Sequence, residues 1–393
     1  MHILYDDNMP FAKEVFTSLG HAQEFNHAQV NDIDVSHTDA LMIRSTTKVN
    51  ADLVKRLRQC QYVATATAGY NHLDFAALET AQMKAYHAAG CNAQAVSEYA
   101  LSAALYALLA TGRIQMQHDL SVLSELKVGV VGVGQVGSRV AQKFRALGCT
   151  VHCYDPPRAT QEPDEPWADL STIVACDIVC LHAPLVKDDP YPSFHLFNVE
   201  VLQQLRPEQI LINAGRGEVI DNHALLKLCE SQKMPTLVLD VWENEPDILT
   251  ALIPHTLIAT PHIAGHSLEG KTRGTFMLYE WLAEQIGQDA SLRMHDFLPK
   301  CHKTYACHTA QLTIRDLTTL VWEIYDIAID DREFRAKMAQ SDCFSELRKA
   351  YRKPELDPTT KVRREFSVLE VTCADAYVAG VLQNLGFTTK SLI

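Results

Sequence analysis

Leu126-Lys-Val-Gly-Val-Val131 runs straight into Gly132-Val-Gly134-Gln-Val-Gly137, and Ser138 to Leu147 follow with helical spacing. The first run is apolar and bounded like a buried parallel strand. Strand, G-x-G-x-x-G and helix in that order form the dinucleotide-binding fingerprint. Gly132 permits the tight turn, Gly134 lets the backbone approach a pyrophosphate, and Gly137 allows close helix–strand packing. Gln135 and Val136 lie at the helix start, where free N–H groups and the helix dipole favour phosphate. A second strand, Cys149 to Tyr154, ends in Asp155. That is about 20 residues past the glycines, where an acid binds the ribose hydroxyls of NAD. Arg158 is placed to accept the 2′-phosphate of NADP, but Asp155 comes first and repels that phosphate. NAD is the expected cofactor.

Four further apolar runs follow: Ile178–Leu181, Ile210–Ile212, Thr236–Leu239 and Thr256–Ala259. Each ends in a polar loop. These loops are His182-Ala-Pro184, Asn213-Ala-Gly-Arg-Gly-Glu-Val-Ile-Asp221, Asp240-Val-Trp-Glu-Asn-Glu-Pro246 and Thr260-Pro-His-Ile-Ala-Gly265. The repetition predicts a doubly wound α/β sheet with its site along one edge. Arg216, Glu245 and His262 supply what oxidation of a 2-hydroxy acid needs. A guanidinium fork matches a carboxylate. An imidazole can take the hydroxyl proton. A carboxylate can orient that imidazole and stabilise its charged form.

Residues 1–95 alternate strand and helix: strands at Ile3–Tyr5, Ala40–Ile43 and Tyr62–Thr65, helices at Phe11–Leu19 and Ala51–Arg58. This predicts a small parallel α/β domain. Its loops Arg44-Ser-Thr-Thr-Lys48 and Thr65-Ala-Thr-Ala-Gly-Tyr70 lie at carboxyl ends of strands, where ligands bind. The helix from Ala95 to Ala110 is apolar on most faces and is expected to be buried between domains. A helix over 270–287 returns to the first domain. In the last hundred residues, 308–327 and 331–352 read as helices, 366–372 as a strand and 375–385 as a helix. No catalytic constellation appears there, so the tail reads as a small α+β appendage for self-association. The expected domains are 1–95 with 266–288, 96–265, and 289–393.

The net charge of −13 argues against general nucleic-acid binding. No run of about 18 apolar residues suggests a membrane span, and no signal-peptide pattern opens the chain. The 11 cysteines are odd in number and scattered, which fits reduced cytosolic thiols. Cys301-His302 and Cys307-His308 match no standard zinc spacing, so no metal is expected and an edge strand with a turn is preferred.

The fingerprint, Asn213-Ala-Gly-Arg-Gly217, Trp242-Glu-Asn-Glu-Pro246 and Pro261-His-Ile-Ala-Gly265 resemble the D-isomer-specific 2-hydroxyacid dehydrogenases. Asp6-Asp-Asn-Met-Pro10, Arg44-Ser45, Ala66-Thr-Ala-Gly69, Asp155-Pro-Pro-Arg158 and the tail are similar to one branch of that family. Its members oxidise 4-phospho-D-erythronate on the route to vitamin B6. The resemblance implies a Rossmann-type NAD-binding domain, a flavodoxin-like substrate domain and a small α+β dimerisation domain in a cytoplasmic homodimer. It implies that Arg216, Glu245 and His262 are catalytic, and that Ser45 and Thr67 touch substrate. Asp155, Asp240, Gly265 and the backbone of Ala214, Gly215 and Arg216 then touch NAD. Position 266, often Tyr in this branch and a substrate contact, is His266. Position 183, where a Thr can face the cofactor, is Ala183. The substrate's phosphate requires basic donors, and Arg44 with nearby Lys48 is the choice. Two other readings stay open from the residues: another enzyme of the family, such as a 3-phosphoglycerate dehydrogenase or a glyoxylate/hydroxypyruvate reductase, or a non-enzymatic NAD-sensing binding protein.

Overall fold

The computed structural model describes every residue except 189, 232, 301, 302, 309, 341, 342, 352–361, 392 and 393. The chain forms two compact units, Met1–Asn92 with His266–Lys300, and Ala93–Gly265 with Cys301–Ile393.

The first unit is built on strands β1 (His2–Asp6), β2 (His21–Phe25), β3 (Ala40–Ile43), β4 (Tyr62–Thr65) and β5 (Lys84–His87). All pair in parallel, in the order β2-β1-β3-β4-β5. This is the flavodoxin-like order. The central β3 is buried at every position, as an all-apolar strand covered on both faces must be. The edge strands β2 and β5, not expected from the sequence, are mostly exposed or half-buried. Their polar residues carry no apolar run, because an edge strand has little surface to bury. The helices Ala12–Thr17 and Leu268–Gln285 cover one face; Ala51–Arg56 and Phe75–Thr80 flank the other. The helix Leu268–Gln285 belongs to this unit.

The second unit carries β6 (Lys127–Val131), β7 (Thr150–Tyr154), β8 (Ile178–Leu181), β9 (Ile210–Asn213), β10 (Thr236–Leu239) and β11 (Ile258–Ala259). They form a parallel sheet in the order β11-β10-β9-β8-β6-β7. Beyond β7 a single bridge, Cys153 to Trp167, stands where a further strand would sit. With it the sheet has the doubly wound Rossmann order, reversing between β6 and β8.

The helix Ala93–Ala110 packs inside this unit against Gln135–Ala146, Ile314–Ile324 and Ile327–Met338. Tyr99, Leu101 and Leu105 on it are essentially inaccessible. Its partners on one side come from the tail, which explains its all-round apolar surface.

The tail departs from its reading in detail. The helix expected over 308–327 runs only Ile314–Ile324, because Thr313 and Asp316 form a capping box that sets its start. The second helix is split into Ile327–Met338 and Phe344–Ala350, and its end lies outside the described residues. The strand expected at 366–372 is a 3₁₀ turn, Phe366–Val368, followed by β13 (Glu370–Cys373). β13 pairs in parallel with β12 (Thr304–Cys307) and β14 (Thr388–Ser391). β12 is an edge strand, as expected; Cys301 and His302 lie outside the described residues. The sequence suggests one appendage over 289–393. Contacts instead place 289–300 in the first unit and 301–393 in the second. Leu312, Ile314, Leu317, Val321, Phe366 and Leu382 share one core with Val128, Ile178 and Ile210. Among the described residues no helix is long and apolar enough to cross a membrane.

Candidate active site

The glycine loop leaves β6 with Gly132 in the left-handed region at φ 78. A Cβ there would meet the Ala183 backbone at 2.5 Å, and one at Gly137 would lie 2.0 Å from the Gly132 carbonyl. These two glycines are therefore fixed by packing. Gly134 differs: a Cβ there would meet nothing within 4 Å. It is the N-cap of the helix Gln135–Ala146, and no side chain caps that helix. Open space and uncapped N–H groups in one place fit a pyrophosphate. His182 adds a second sign of a ligand. Its main chain packs on Gly132 and Gly215. Both its ring nitrogens are buried with no hydrogen-bond partner among the described residues. Burial pushes this imidazole down to about 4, so it is neutral at pH 7. The sequence places it in one of the polar loops along the site edge but assigns it no role, since a single His after a strand is common.

Asp155 does more than the fingerprint assigns to it. Its Oδ2 accepts from the Val133 amide at 2.8 Å and its Oδ1 from the Arg158 amide at 3.1 Å. It thus pins the glycine loop and caps the helix Pro156–Gln161. Each oxygen retains acceptor capacity for a ribose hydroxyl. Arg158 is already occupied: Nη1 donates to the Val133 carbonyl at 2.8 Å, Nη2 pairs with Glu162 at 2.5 Å, and the guanidinium lies 5.0 Å from the Trp167 ring centre. Those contacts hold it away from the role of a 2′-phosphate receptor.

Arg216 follows β9 in a loop that Asn213 folds. The Asn213 side chain donates to the Arg216 carbonyl at 3.0 Å and accepts from the Gly215 amide at 3.2 Å. Arg216 Nη1 donates to the Gly215 carbonyl at 2.8 Å. A Cβ on Gly217 would sit 1.9 Å from the Trp242 carbonyl carbon, so this loop and the one after β10 are pressed together. Burial pushes the Arg216 guanidinium below its ordinary value, against the pull of Glu245 and Glu218.

Glu245 and His262 are joined directly: His262 Nδ1 lies 2.7 Å from Glu245 Oε2. The other carboxylate oxygen accepts from the Trp242 amide at 3.0 Å. Burial alone would raise the Glu245 carboxyl. His262, the Trp242 amide and Arg348 of the tail outweigh it, and the group lies below the usual range. A carboxylate is therefore held beside the imidazole, and Nε2 is the ring nitrogen left for chemistry.

Asp240, expected at the cofactor, has no exposed surface. Its carboxylate accepts from Thr260 Oγ1 at 2.7 Å and from the Ile263 and Ala264 amides at 2.8 and 2.9 Å, and its carbonyl accepts from the His262 amide at 2.7 Å. Asp240 builds the turn that carries His262, whose own φ is 57. Thr260 is held in turn by the Tyr99 hydroxyl at 2.7 Å, and its carbonyl accepts from Trp242 Nε1 at 3.0 Å. Glu243 is fixed by His195 Nε2 at 2.8 Å and by the Asn222 amide at 3.1 Å. None of these supports is marked by spacing in the sequence. Gly265 closes the turn, half-buried, and Ala214 and Ala183 lie at the ends of β9 and β8.

The expected substrate residues Arg44, Ser45 and Thr67 lie in the first unit, as does His266. Arg44 follows β3, half-buried, with Ser45 exposed on the next turn. Thr67 follows β4; its hydroxyl donates to the Gly69 carbonyl at 2.8 Å and lies 2.8 Å from Thr65 Oγ1, which also meets His72 Nε2 at 2.8 Å.

Comparison with known proteins shows the family and the fold. Residues 96–264 match the D-isomer specific 2-hydroxyacid dehydrogenase NAD-binding domain, and 297–386 match a domain of unknown function. An erythronate-4-phosphate dehydrogenase of Pseudoalteromonas atlantica is 43% identical over 99% of this chain and 100% of its own. That of Proteus mirabilis is 41% identical over 98% and 99%. Among solved structures, D-lactate dehydrogenase from Aquifex aeolicus, complexed with NAD and lactic acid, shares the fold. Its TM-score is 0.57 at 21% identity, covering 72% of this chain and 96% of that one. The chain carries the NAD-binding domain of the D-isomer-specific 2-hydroxyacid dehydrogenases and belongs to their erythronate-4-phosphate dehydrogenase branch.

Proposed function

We propose that this protein oxidises 4-phospho-D-erythronate to (R)-3-hydroxy-2-oxo-4-phosphooxybutanoate in the synthesis of pyridoxal 5′-phosphate. The chemistry rests on one observation, the 2.7 Å bond between His262 and Glu245 at the end of a dinucleotide-binding sheet. The substrate follows from the full-length similarity to named erythronate-4-phosphate dehydrogenases.

NAD, when bound, supplies the acceptor for the C2 hydride. Arg216 binds the substrate carboxylate as a planar fork. His262 Nε2 takes the C2 hydroxyl proton. Glu245 holds the ring through Nδ1 and stabilises the imidazolium that results. Base catalysis of this kind contributes roughly 10²–10⁴-fold. Gly132, Gly134, Gln135, Val136, Gly137, Asp155, Ala183, Ala214, Gly215 and Gly265 form the cofactor's surroundings, with Asp240 acting through the turn it holds. Arg44, aided by Lys48, takes the phosphate, and Ser45, Thr67 and His266 complete the substrate contacts. We place the enzyme in the cytoplasm as a homodimer formed through the tail, where Tyr377 is 76% exposed.

The test is NADH formation with 4-phospho-D-erythronate beside 3-phospho-D-glycerate, D-glycerate and D-lactate, using enzyme first stripped of cofactor. Preference for the four-carbon phosphate is expected. Preference for another acid would overturn the substrate and keep the mechanism; no turnover with any would overturn both.

A further inference from the structure

Arg363 belongs to the tail, in the stretch 297–386 that matches a domain of unknown function. It is one of the largest fully buried side chains in the protein, 1% exposed. A guanidinium stays charged in any protein environment, so burying one is costly unless its donors are satisfied. Here the two terminal nitrogens are satisfied by three carbonyls, two of them in one turn, while Nε is buried with no hydrogen-bond partner among the described residues. Nη1 donates to the Ile263 carbonyl at 3.1 Å and the Ala264 carbonyl at 2.9 Å, and Nη2 donates to the Ala95 carbonyl at 2.8 Å. The guanidinium carbon lies 3.7 Å from the centre of the Tyr325 ring, close enough for a cation–π contact. Tyr325 ends the tail helix Ile314–Ile324.

Ile263 and Ala264 are the two residues after His262. Their amides are already taken by the Asp240 carboxylate, at 2.8 and 2.9 Å. The peptide between them is therefore gripped at both ends: its N–H by an anion and its carbonyl by a cation. Each bond polarises the peptide in the sense that strengthens the other. The clamp stands next to a histidine held at φ 57, a region that a non-glycine residue keeps only when its surroundings over-determine it. Asp240 fixes the turn from the sheet side, and Arg363 fixes it from the tail.

We propose that Arg363 is a positioning residue for the acid–base step: it holds the 262–264 turn, and with it the imidazole of His262, from the C-terminal segment of the same chain. This rests on His262 being the proton acceptor. It gives the domain of unknown function a part in catalysis without placing any of its groups on the substrate. Among the described residues the charged groups facing His262 are Glu245 and Asp240, with Arg348 beside Glu245.

The experiment compares full-length Arg363→Lys and Arg363→Met with the parent enzyme. Readouts are kcat per site, counted by NAD titration, KM for NAD and for 4-phospho-D-erythronate, and the pH profile of kcat/KM. The His262 ring signals are followed in parallel by NMR. If the parent enzyme turns over no 2-hydroxy acid, the functional reading fails, and the NMR comparison alone judges the clamp. With an active parent, Arg363→Lys is expected to bind NAD normally while kcat falls by up to about 10²-fold, the loss that a displacement near 1 Å brings. The His262 signals and the pH profile should shift together. Arg363→Met should fall further; if it does not fold, Arg363→Lys decides alone. Unchanged kcat per site, unchanged His262 signals and an unchanged profile in a folded variant would overturn the proposal. So would a loss that merely tracks a smaller folded fraction, with kcat per site unchanged, or an equal loss in NAD affinity.

Discussion

His262 and Glu245 divide one task, and the division can be measured. Replacing Glu245 by Gln keeps the shape but removes the charge that stabilises imidazolium, so kcat should fall roughly 10²–10⁴-fold with little change in NAD binding. Steady-state kinetics beside an NAD titration checks this; an equal fall in NAD affinity would count against an orienting role. At the loop after β4, burial pushes His72 down to about 4, with the charge of Arg44 adding to it. The unfolded chain takes up a proton near the ordinary value of 6.5 and the folded one does not. Stability from this group is thus present above that value and lost as pH falls towards 4. Thermal unfolding between about pH 7 and pH 4.5 should show a smaller loss for His72→Asn than for the parent protein. At this scale the sequence discloses residues that sit in recognisable motifs, as Arg216, Glu245 and His262 do in three separate loops. It does not tell where a carboxylate points. Asp240 turns onto its neighbours' amides, and Asp155 is drawn to Val133, because a buried turn must satisfy its own N–H groups first. Arg363 stands alone in the chain, and only packing reveals it; packing likewise shows the buried ring of His182, whose loop the sequence marks without giving it a role.

Elements sort the glycines by purpose. Gly134→Ala places a methyl group in open space at the start of the helix Gln135–Ala146. It should leave Tm nearly unchanged and weaken NAD binding by about tenfold or more, near 1.4 kcal/mol. Gly137→Ala forces a methyl group onto the Gly132 carbonyl and should lower Tm, with about 1–3 kcal/mol lost to overpacking. Melting curves with and without NAD separate the two; equal stability of both variants would reject this account. The central strands were legible because an all-apolar run of four or five residues has no other home than a covered sheet. The edges β2 and β5 were not, since their polar residues obey the solvent. The tail's short elements lost their boundaries for a related reason: caps such as Thr313 with Asp316 decide where a helix starts, and apolar spacing alone does not.

Across the whole molecule, the tail is part of the nucleotide-binding core. A chain ending at residue 296 would leave the partners of Leu312, Ile314, Leu317 and Leu382 in water, around Val128 and Ile178. Such a truncation should be insoluble or lack a cooperative melt; a soluble, NAD-binding product of normal stability would contradict the shared core. The same architecture has a consequence for synthesis. The chain is interleaved, with 1–92 completed by 266–300 and 93–265 completed by 301–393. A ribosome adds about 5–20 residues each second. The first sheet therefore waits many seconds for its covering helix, and the second waits until residues 301–393 have been added. Neither unit can mature while the other is being made, so nascent chains must spend that interval with apolar faces bare. Protection by a chaperone, or fast translation that shortens the wait, should raise yield, and a nonsense codon between 93 and 265 costs both units' completion at once.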